Sequence, residues 1–368
     1  MTPRGRGAVA TIRFWGDCRL IDQAATVRFR AANGKPLQEQ PLDRVVYGHW
    51  GDEIAEQVVV CRVDLQFVEI HCHGGDAAAQ RILDDLDALG CTILSWQEMT
   101  TQRLGVFESE CTEVLTRAGT LRTAHILLEQ QSGVLRAALD DLLLASPKKR
   151  ERIKHKLDEL LRWANFGLHL TQAWNVVLAG RPNVGKSSLI NALVGYSRSI
   201  VFDKPGTTRD VVTAETALDG WPVQLADTAG IREHADPLES AGIDRAQKQL
   251  AAADCRVLLF DTSQPPHEDD RRLHVNWPDA IFIAHKCDLP DVWGREVPEN
   301  ALRVSSVTGE GIGNLEKALI NRLVPEVPAA NTPVPVTLRQ IALLTAANEA
   351  VQKQDDHAFR NALESILS

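Results

Sequence analysis

Apolar residues fall into short runs divided by polar turns in two stretches of the chain, and recur at spacings of three and four elsewhere. Near the N-terminus the runs at 8–13, 58–63 and 67–71 read as strands, and 77–89 reads as a helix that Gly90 would end as a left-handed cap. This predicts a small α+β domain over residues 1–108. Over 109–172 the pattern turns helical, with Leu121, Ala124 and Leu128, then Ile153, Leu157, Leu160 and Leu161, on common faces. Ser146 and Pro147 between them have the character of an N-cap and a first-turn proline.

From 173 to 326 the runs 175–179, 213–218, 223–226, 256–260, 280–284 and 302–304 alternate with helical segments. That alternation predicts a mostly parallel sheet with helices on both faces. Pro325, Pro328, Pro333 and Pro335 follow and read as a stiff linker into a last helical stretch. Residues 327–368 form that linker and C-terminal helical part. The expected architecture is therefore an α/β domain inserted in a helical domain and preceded by the small α+β domain.

Composition changes this picture little. With 44% hydrophobic and 24% charged residues, the 368-residue chain has the balance of a globular protein, not of a disordered one. A formal charge of −9 argues against a protein that coats nucleic acid by bulk electrostatics, so any RNA contact must be local. Seven cysteines without a CxxC pair fit a reducing cytoplasm. The apolar run at 8–12 is too short for a signal-peptide core and is closed by Arg13, and no stretch reaches the roughly 20 apolar residues of a membrane span. The expectation is a cytoplasmic protein without a membrane partner.

The strongest chemical signal is Gly180-Arg181-Pro182-Asn183-Val184-Gly185-Lys186-Ser187, which fits GxxxxGK[ST] between a strand and a helix. In that context backbone N–H groups from Asn183 through Ser188 wrap phosphates, Lys186 reaches the outer phosphates, and the Ser187 hydroxyl ligates Mg²⁺. A chance Gly-rich turn is the competing reading of the octapeptide alone. Gly206-Thr207-Thr208-Arg209-Asp210 and Asp227-Thr228-Ala229-Gly230 follow in the order of two switch loops, with Thr208 on Mg²⁺ and the Gly230 N–H on the terminal phosphate.

At the end of the run 280–284 stands Ala284-His285-Lys286-Cys287-Asp288, where a guanine site would have Asn-Lys-x-Asp. Asp288 can accept from the N1 and amino groups of guanine, and the Lys286 stem can lie along the base. A neutral His285 can make one of the bonds of an Asn but not all of them. Guanine selectivity with reduced affinity is expected, against the reading of a decayed site. Ser305 and Ser306 would supply the last backbone N–H to the base. Ile231 stands where many GTPases carry a water-orienting Gln after the DxxG element.

The segments GRPNVGKSSLIN, DKPGTTRD, DTAGIRE and LESAGIDRA resemble the G domain of the MnmE (TrmE) family of tRNA modification GTPases. Thr2 to Val9 and Glu69-Ile70-His71-Cys72-His73-Gly74-Gly75 are similar to the N-terminal domain of that family. The resemblance implies a potassium-activated GTPase that binds GTP and GDP, with G domains pairing in a homodimer. It implies Asn183 and the loop from Phe202 through Lys204 to Thr207 as K⁺ ligands, and Glu239 as the group that orients water, with Lys186 and Thr208 beside it in catalysis. Glu239 as a solvated residue at a helix start is the plainer reading of the position alone. Partners implied are a flavoprotein like MnmG, and tRNA, in wobble-uridine modification.

The folate-binding Arg and Glu of the family correspond to Arg13 and Glu69, which would contact 5-formyltetrahydrofolate. Its helical-domain Lys falls near Thr120. The family also ends in a Cys-x-Gly-Lys motif, whereas this sequence closes on Ala362-Leu363-Glu364-Ser365-Ile366-Leu367-Ser368 and has its last cysteine at 287. The expectation is a reduced member. The alternative is a GTPase switch or assembly factor without the modification chemistry.

Two further features stay open on sequence. His71-Cys72-His73 is either a strand end or a metal corner, and the basic run around Lys148 to Lys156 is either a solvated helix face or a phosphate contact.

Overall fold

The computed structural model describes residues 7–22, 28–51, 55–146, 149–196, 213–227 and 239–368, with side chains described from 246 onward in the last stretch. Two compact units divide the chain at Arg103 and Leu104.

In the first unit, β1 (Val9–Trp15), α1 (Arg19–Asp22), β2 (Phe29–Ala31), β3 (Val45–Trp50), β4 (Glu56–Arg62) and β5 (Phe67–His73) precede α2 (Asp76–Ala88) and α3 (Trp96–Leu104). The strands pair antiparallel in the order β1-β5-β4-β3-β2. Period-two alternation sends Ile12, Val58, Val60, Val68 and Ile70 into a core shared with Ile82 and Leu86 of α2. Two of these strands are silent in the sequence pattern. β2 has three residues, and β3 turns Val45 and Tyr47 outward at 71% and 46% exposure while Val46 and Trp50 face the core, so apolar residues on both faces hide its alternation.

The second unit opens with α4 (Val106–Thr116), α5 (Leu121–Gln131), α6 (Val134–Leu144), α7 (Arg150–Arg162) and α8 (Ala164–Leu168). Ser146 does not cap α7. The helix starts at Arg150 with Lys149 as a cap that makes no side-chain bond, and Ser146 contributes its carbonyl to the Lys149 N–H at 2.9 Å. Pro147 lies outside the described residues.

Next comes the sheet. β6 (Trp174–Ala179) leads to α9 (Lys186–Tyr196), then β7 (Thr213–Leu218), β8 (Trp221–Asp227), α10 (Glu239–Ala252), β9 (Cys255–Asp261), α11 (Glu268–Asn276), β10 (Ile281–His285), β11 (Leu302–Val304) and α12 (Ile312–Leu323). Strand order is β11-β10-β9-β6-β8-β7, parallel except for the antiparallel edge strand β7. The central strands are apolar on both faces, as strands covered by helices on both sides must be. Asp219 and Gly220 turn β7 into β8 with φ of 47° and 79°, the two-residue hairpin that needs positive φ at both positions.

The chain leaves β6 for β8 on one side and returns to β9 on the other. The carboxyl ends of β6 and β9 therefore flank the crevice in which ligands of such sheets bind.

Helices α13 (Leu338–Gln352) and α14 (Asp356–Leu367) pack with α4, α6 and α7 around a second core containing Phe107, Leu139, Leu157, Leu344 and Leu363. A salt-bridged clamp fixes this join, with Arg339 Nε 2.6 Å and Nη2 3.0 Å from the Glu110 carboxylate. The proline-rich stretch before α13 is not a free spacer. Val334 and Val336 are buried in the sheet domain's core, and Gln130 holds the Val334 N–H and the Thr332 carbonyl. Prolines fix the extended backbone here, but alternating buried valines make it a strap.

Candidate functional site

Leu178 and Ala179, at the end of β6, deliver the chain into the phosphate loop, and α9 begins at Lys186 within the motif. Asn183 takes φ 62° and Gly185 φ 102°, so the loop folds back with its amides at the N-terminus of α9. Gly185 is required for a second reason. A Cβ built on it would lie 2.5 Å from Cε1 of His285, so the imidazole fills the space a side chain would need.

Lys186 is 5% exposed, and its ammonium lies 3.2 and 3.1 Å from the Gly180 and Arg181 carbonyls and 3.9 Å from the Asp227 carboxylate. Ser187 donates its hydroxyl to Asp227 Oδ2 at 2.8 Å. One ammonium, one hydroxyl and one carboxylate thus meet where the loop, α9 and the end of β8 converge. Hard oxygens of this kind suit magnesium with phosphate and water completing the shell. Ser188 is exposed on the first turn of α9.

The base loop leaves β10 beside this. His285 is 3% exposed, with Nδ1 2.7 Å from the Val184 carbonyl and Nε2 2.8 Å from the Ser306 hydroxyl. A carbonyl only accepts, so the proton sits on Nδ1 and Nε2 receives the Ser306 O–H. Burial, first, holds the imidazole below its ordinary pKa, and nearby Lys286 adds to this against the opposing bond to Val184. The ring is a neutral bridge among three loops.

Lys286 adopts φ 61° and sends its ammonium to Asp261 Oδ2 at 2.6 Å and to the Asn183 carbonyl at 3.2 Å. Asp261 ends β9. Burial raises its carboxyl pKa, but bonds from Lys286 and Ser263 outweigh this and hold it below the usual range. Trp293 donates its indole N–H toward the Asp261 and Gln264 carbonyls and packs on Phe260, which fixes this strand end. Asp261 and Trp293 were not singled out on sequence. The available signal was a carboxylate closing an apolar strand next to the base-loop strand.

Asp288 is exposed within the turn that the Leu289 N–H closes onto the Lys286 carbonyl. Ser305 is fully buried and shapes its loop. Its N–H goes to the Glu310 carbonyl and its hydroxyl accepts from the N–H groups of Val307 and Thr308. Ser306 is the member of the pair turned to the site through His285.

Phe202, Lys204, Thr207, Thr208 and Gly230 lie outside the described residues, and Glu239 is described only as the first residue of α10. Arg13 and Glu69 face each other across β1 and β5 and pair at 3.0 Å. Thr120 caps α5, accepting from the Thr123 N–H and donating to the Gly220 carbonyl at 2.7 Å. The pleat of β5 buries Cys72 and leaves His71 with Thr11 and His73 with Glu56, so the three do not converge on a metal. On α7 the basic run is partly paired internally, Lys156 with Asp141 and Arg150 with Asp356.

Phosphate loop, buried lysine, hydroxyl and carboxylate at a sheet crevice, joined to a base loop, define a P-loop GTPase domain. Residues 175–286 match the family described as 50S ribosome-binding GTPase. The tRNA modification GTPase MnmE of Geobacillus kaustophilus (strain HTA426) is 33% identical over 403 residues, covering 95% of this chain and 87% of that protein. MnmE of Bacillus subtilis (strain 168) is 30% identical over 405 residues, with 95% and 87% covered. The chain belongs to the MnmE family of tRNA modification GTPases. Among solved structures, the G domain of the T. maritima FeoB iron transporter matches at 26% identity over 41% of this chain and 99% of that one, with a TM-score of 0.30. No described helix is long and apolar enough to cross a membrane.

Proposed function

We propose that this chain hydrolyses GTP to GDP and phosphate in a potassium-dependent manner, in the service of tRNA wobble-uridine modification. The observation that carries the nucleotide part is the convergence of the phosphate loop and the base loop through His285 and Lys286. Ser187, with Thr208, would hold Mg²⁺, which would supply positive charge against the charge developing on the phosphates. Asn183, Phe202, Lys204 and Thr207 would hold K⁺, and Glu239 would orient the attacking water in place of the Gln that Ile231 displaces. We read residues 1–108, 109–172, 173–326 and 327–368 as the domains, with the G domain inserted in the helical one. A homodimer and a flavoprotein partner like MnmG belong to the same reading.

The residues present fit 5-formyltetrahydrofolate poorly, since Arg13 and Glu69 are paired to each other and Thr120 is engaged as a helix cap. Folate chemistry is therefore left out of the proposal.

A second reading, a GTP switch without modification chemistry, is favoured by the cysteines. Burial raises the pKa of all seven thiols, Cys111 to about 12 and Cys255 to about 11, so none is set up as a thiolate nucleophile. Phosphate release from GTP in potassium and in sodium buffer tests the first reading. Faster turnover in potassium, lost in Glu239→Ala while GDP still binds, supports it. Equal rates in both salts remove the potassium assignment. Nucleoside mass spectrometry of tRNA from cells with and without the gene separates the two readings.

A further inference from the structure

We infer that residue 285 of this chain does not read N7 of guanine, that the base site therefore accepts guanine nucleotides in which N7 is replaced by carbon, and that His285 sets this tolerance. The inference rests on the GTP-binding reading above and deepens it.

Guanine presents two hydrogen-bonding edges. N1–H and the amino group donate, and suit the Asp288 carboxylate; N7 and O6 accept, and need N–H or O–H donors from the protein. An asparagine at position 285 has an amide with two N–H groups and an oxygen. It can give one N–H to the Val184 carbonyl and keep the other for N7.

A neutral imidazole has one N–H. Here that proton is bound to Nδ1 by the Val184 carbonyl at 2.7 Å, and Nε2 is an acceptor filled by the Ser306 hydroxyl at 2.8 Å. A ring 3% exposed would have to carry a buried charge to hold a second proton. Residue 285 thus has no donor left for a base.

The side chains around it are engaged as well. The Ser306 hydroxyl proton is spent on Nε2. Ser305 is fully buried, and its N–H is engaged by Glu310. The Lys286 ammonium gives two of its three N–H groups to Asp261 and to the Asn183 carbonyl, which draws it toward the strand end. A carbon in place of N7 therefore loses no hydrogen bond from residue 285, the position whose asparagine would have supplied it.

The test is calorimetric titration of the full chain, with Mg²⁺, using GDP and 7-deaza-GDP. The two dissociation constants are expected to agree within about twofold, and in His285→Asn GDP is expected to bind about three- to tenfold tighter than 7-deaza-GDP, the worth of one restored hydrogen bond. A wild-type preference for GDP of about threefold or more, the size of such a bond, overturns the inference while leaving the guanine reading intact. Failure of both nucleotides to bind overturns the guanine reading and this inference together. The wild-type ratio decides the matter even where the variant does not fold.

Discussion

The Nδ1 of His285 lies 2.7 Å from the carbonyl oxygen of Val184, although the two are 101 positions apart in sequence. Through this bond and its mate to Ser306, one neutral ring fastens the phosphate loop to both loops around the base. An asparagine would reach the same carbonyl with a smaller group. The imidazole fills more space, and Gly185 gives it that space.

Replacing that glycine should therefore be costly. In Gly185→Ala the new methyl would meet the imidazole, and φ 102° is strained for any residue with a Cβ. Stability is expected to fall by about 1–3 kcal/mol, with GDP binding weakened or lost. Adding His285→Ala should recover part of the loss, because the two residues compete for one volume. Chemical denaturation and GDP titration of the single and double variants check this; strict additivity would contradict it.

Acid should loosen the domain. His285 and His169 both sit below the ordinary histidine value of 6.5, in each case first through burial. His169 stacks on Trp174 with ring centroids 3.5 Å apart, and Asp254 opposes the shift. A lowered histidine pKa means that the unfolded chain takes up protons before the folded one does. Stability is then complete above 6.5, falls as pH drops below it, and levels off beneath the lowered folded values. Denaturation midpoints between about pH 8 and pH 5 should show that slope, and His285→Asn should make it shallower.

Asp261 is predicted to act on the nucleotide through Lys286. Asp261→Asn removes the charge that holds the ammonium at 2.6 Å, in a pair only partly shielded from water. GDP affinity should drop by about three- to tenfold while the melting temperature moves little, since partly exposed pairs add little stability. Unchanged affinity would reduce Asp261 to a strand-end residue.

How much of this was readable in the sequence depends on the range of the interactions concerned. The octapeptide at 180–187 announces a phosphate loop because strand, loop and helix follow one another locally, and the apolar runs of β9 and β10 are continuous because both faces are covered. The N-terminal strands β2 and β3 escape the pattern because one is very short and the other is apolar on both faces, with Val45 and Tyr47 outward and Val46 and Trp50 inward. Ser146 has the chemistry of a cap, but α7 starts at Arg150, with Lys149 in the cap position. The partners of His285 and Lys286, and the burial of Val334 and Val336, are set by contacts between distant segments that periodicity cannot report.

The central claim is that this site takes GTP and cleaves it. The most direct test is phosphate release by the purified chain with Mg²⁺ and GTP or ATP, beside Lys186→Ala. Hydrolysis of GTP but not ATP, reduced about a hundredfold or more in the variant, is the predicted result. Equal hydrolysis of both nucleotides, or turnover that survives loss of the Lys186 ammonium, would contradict it.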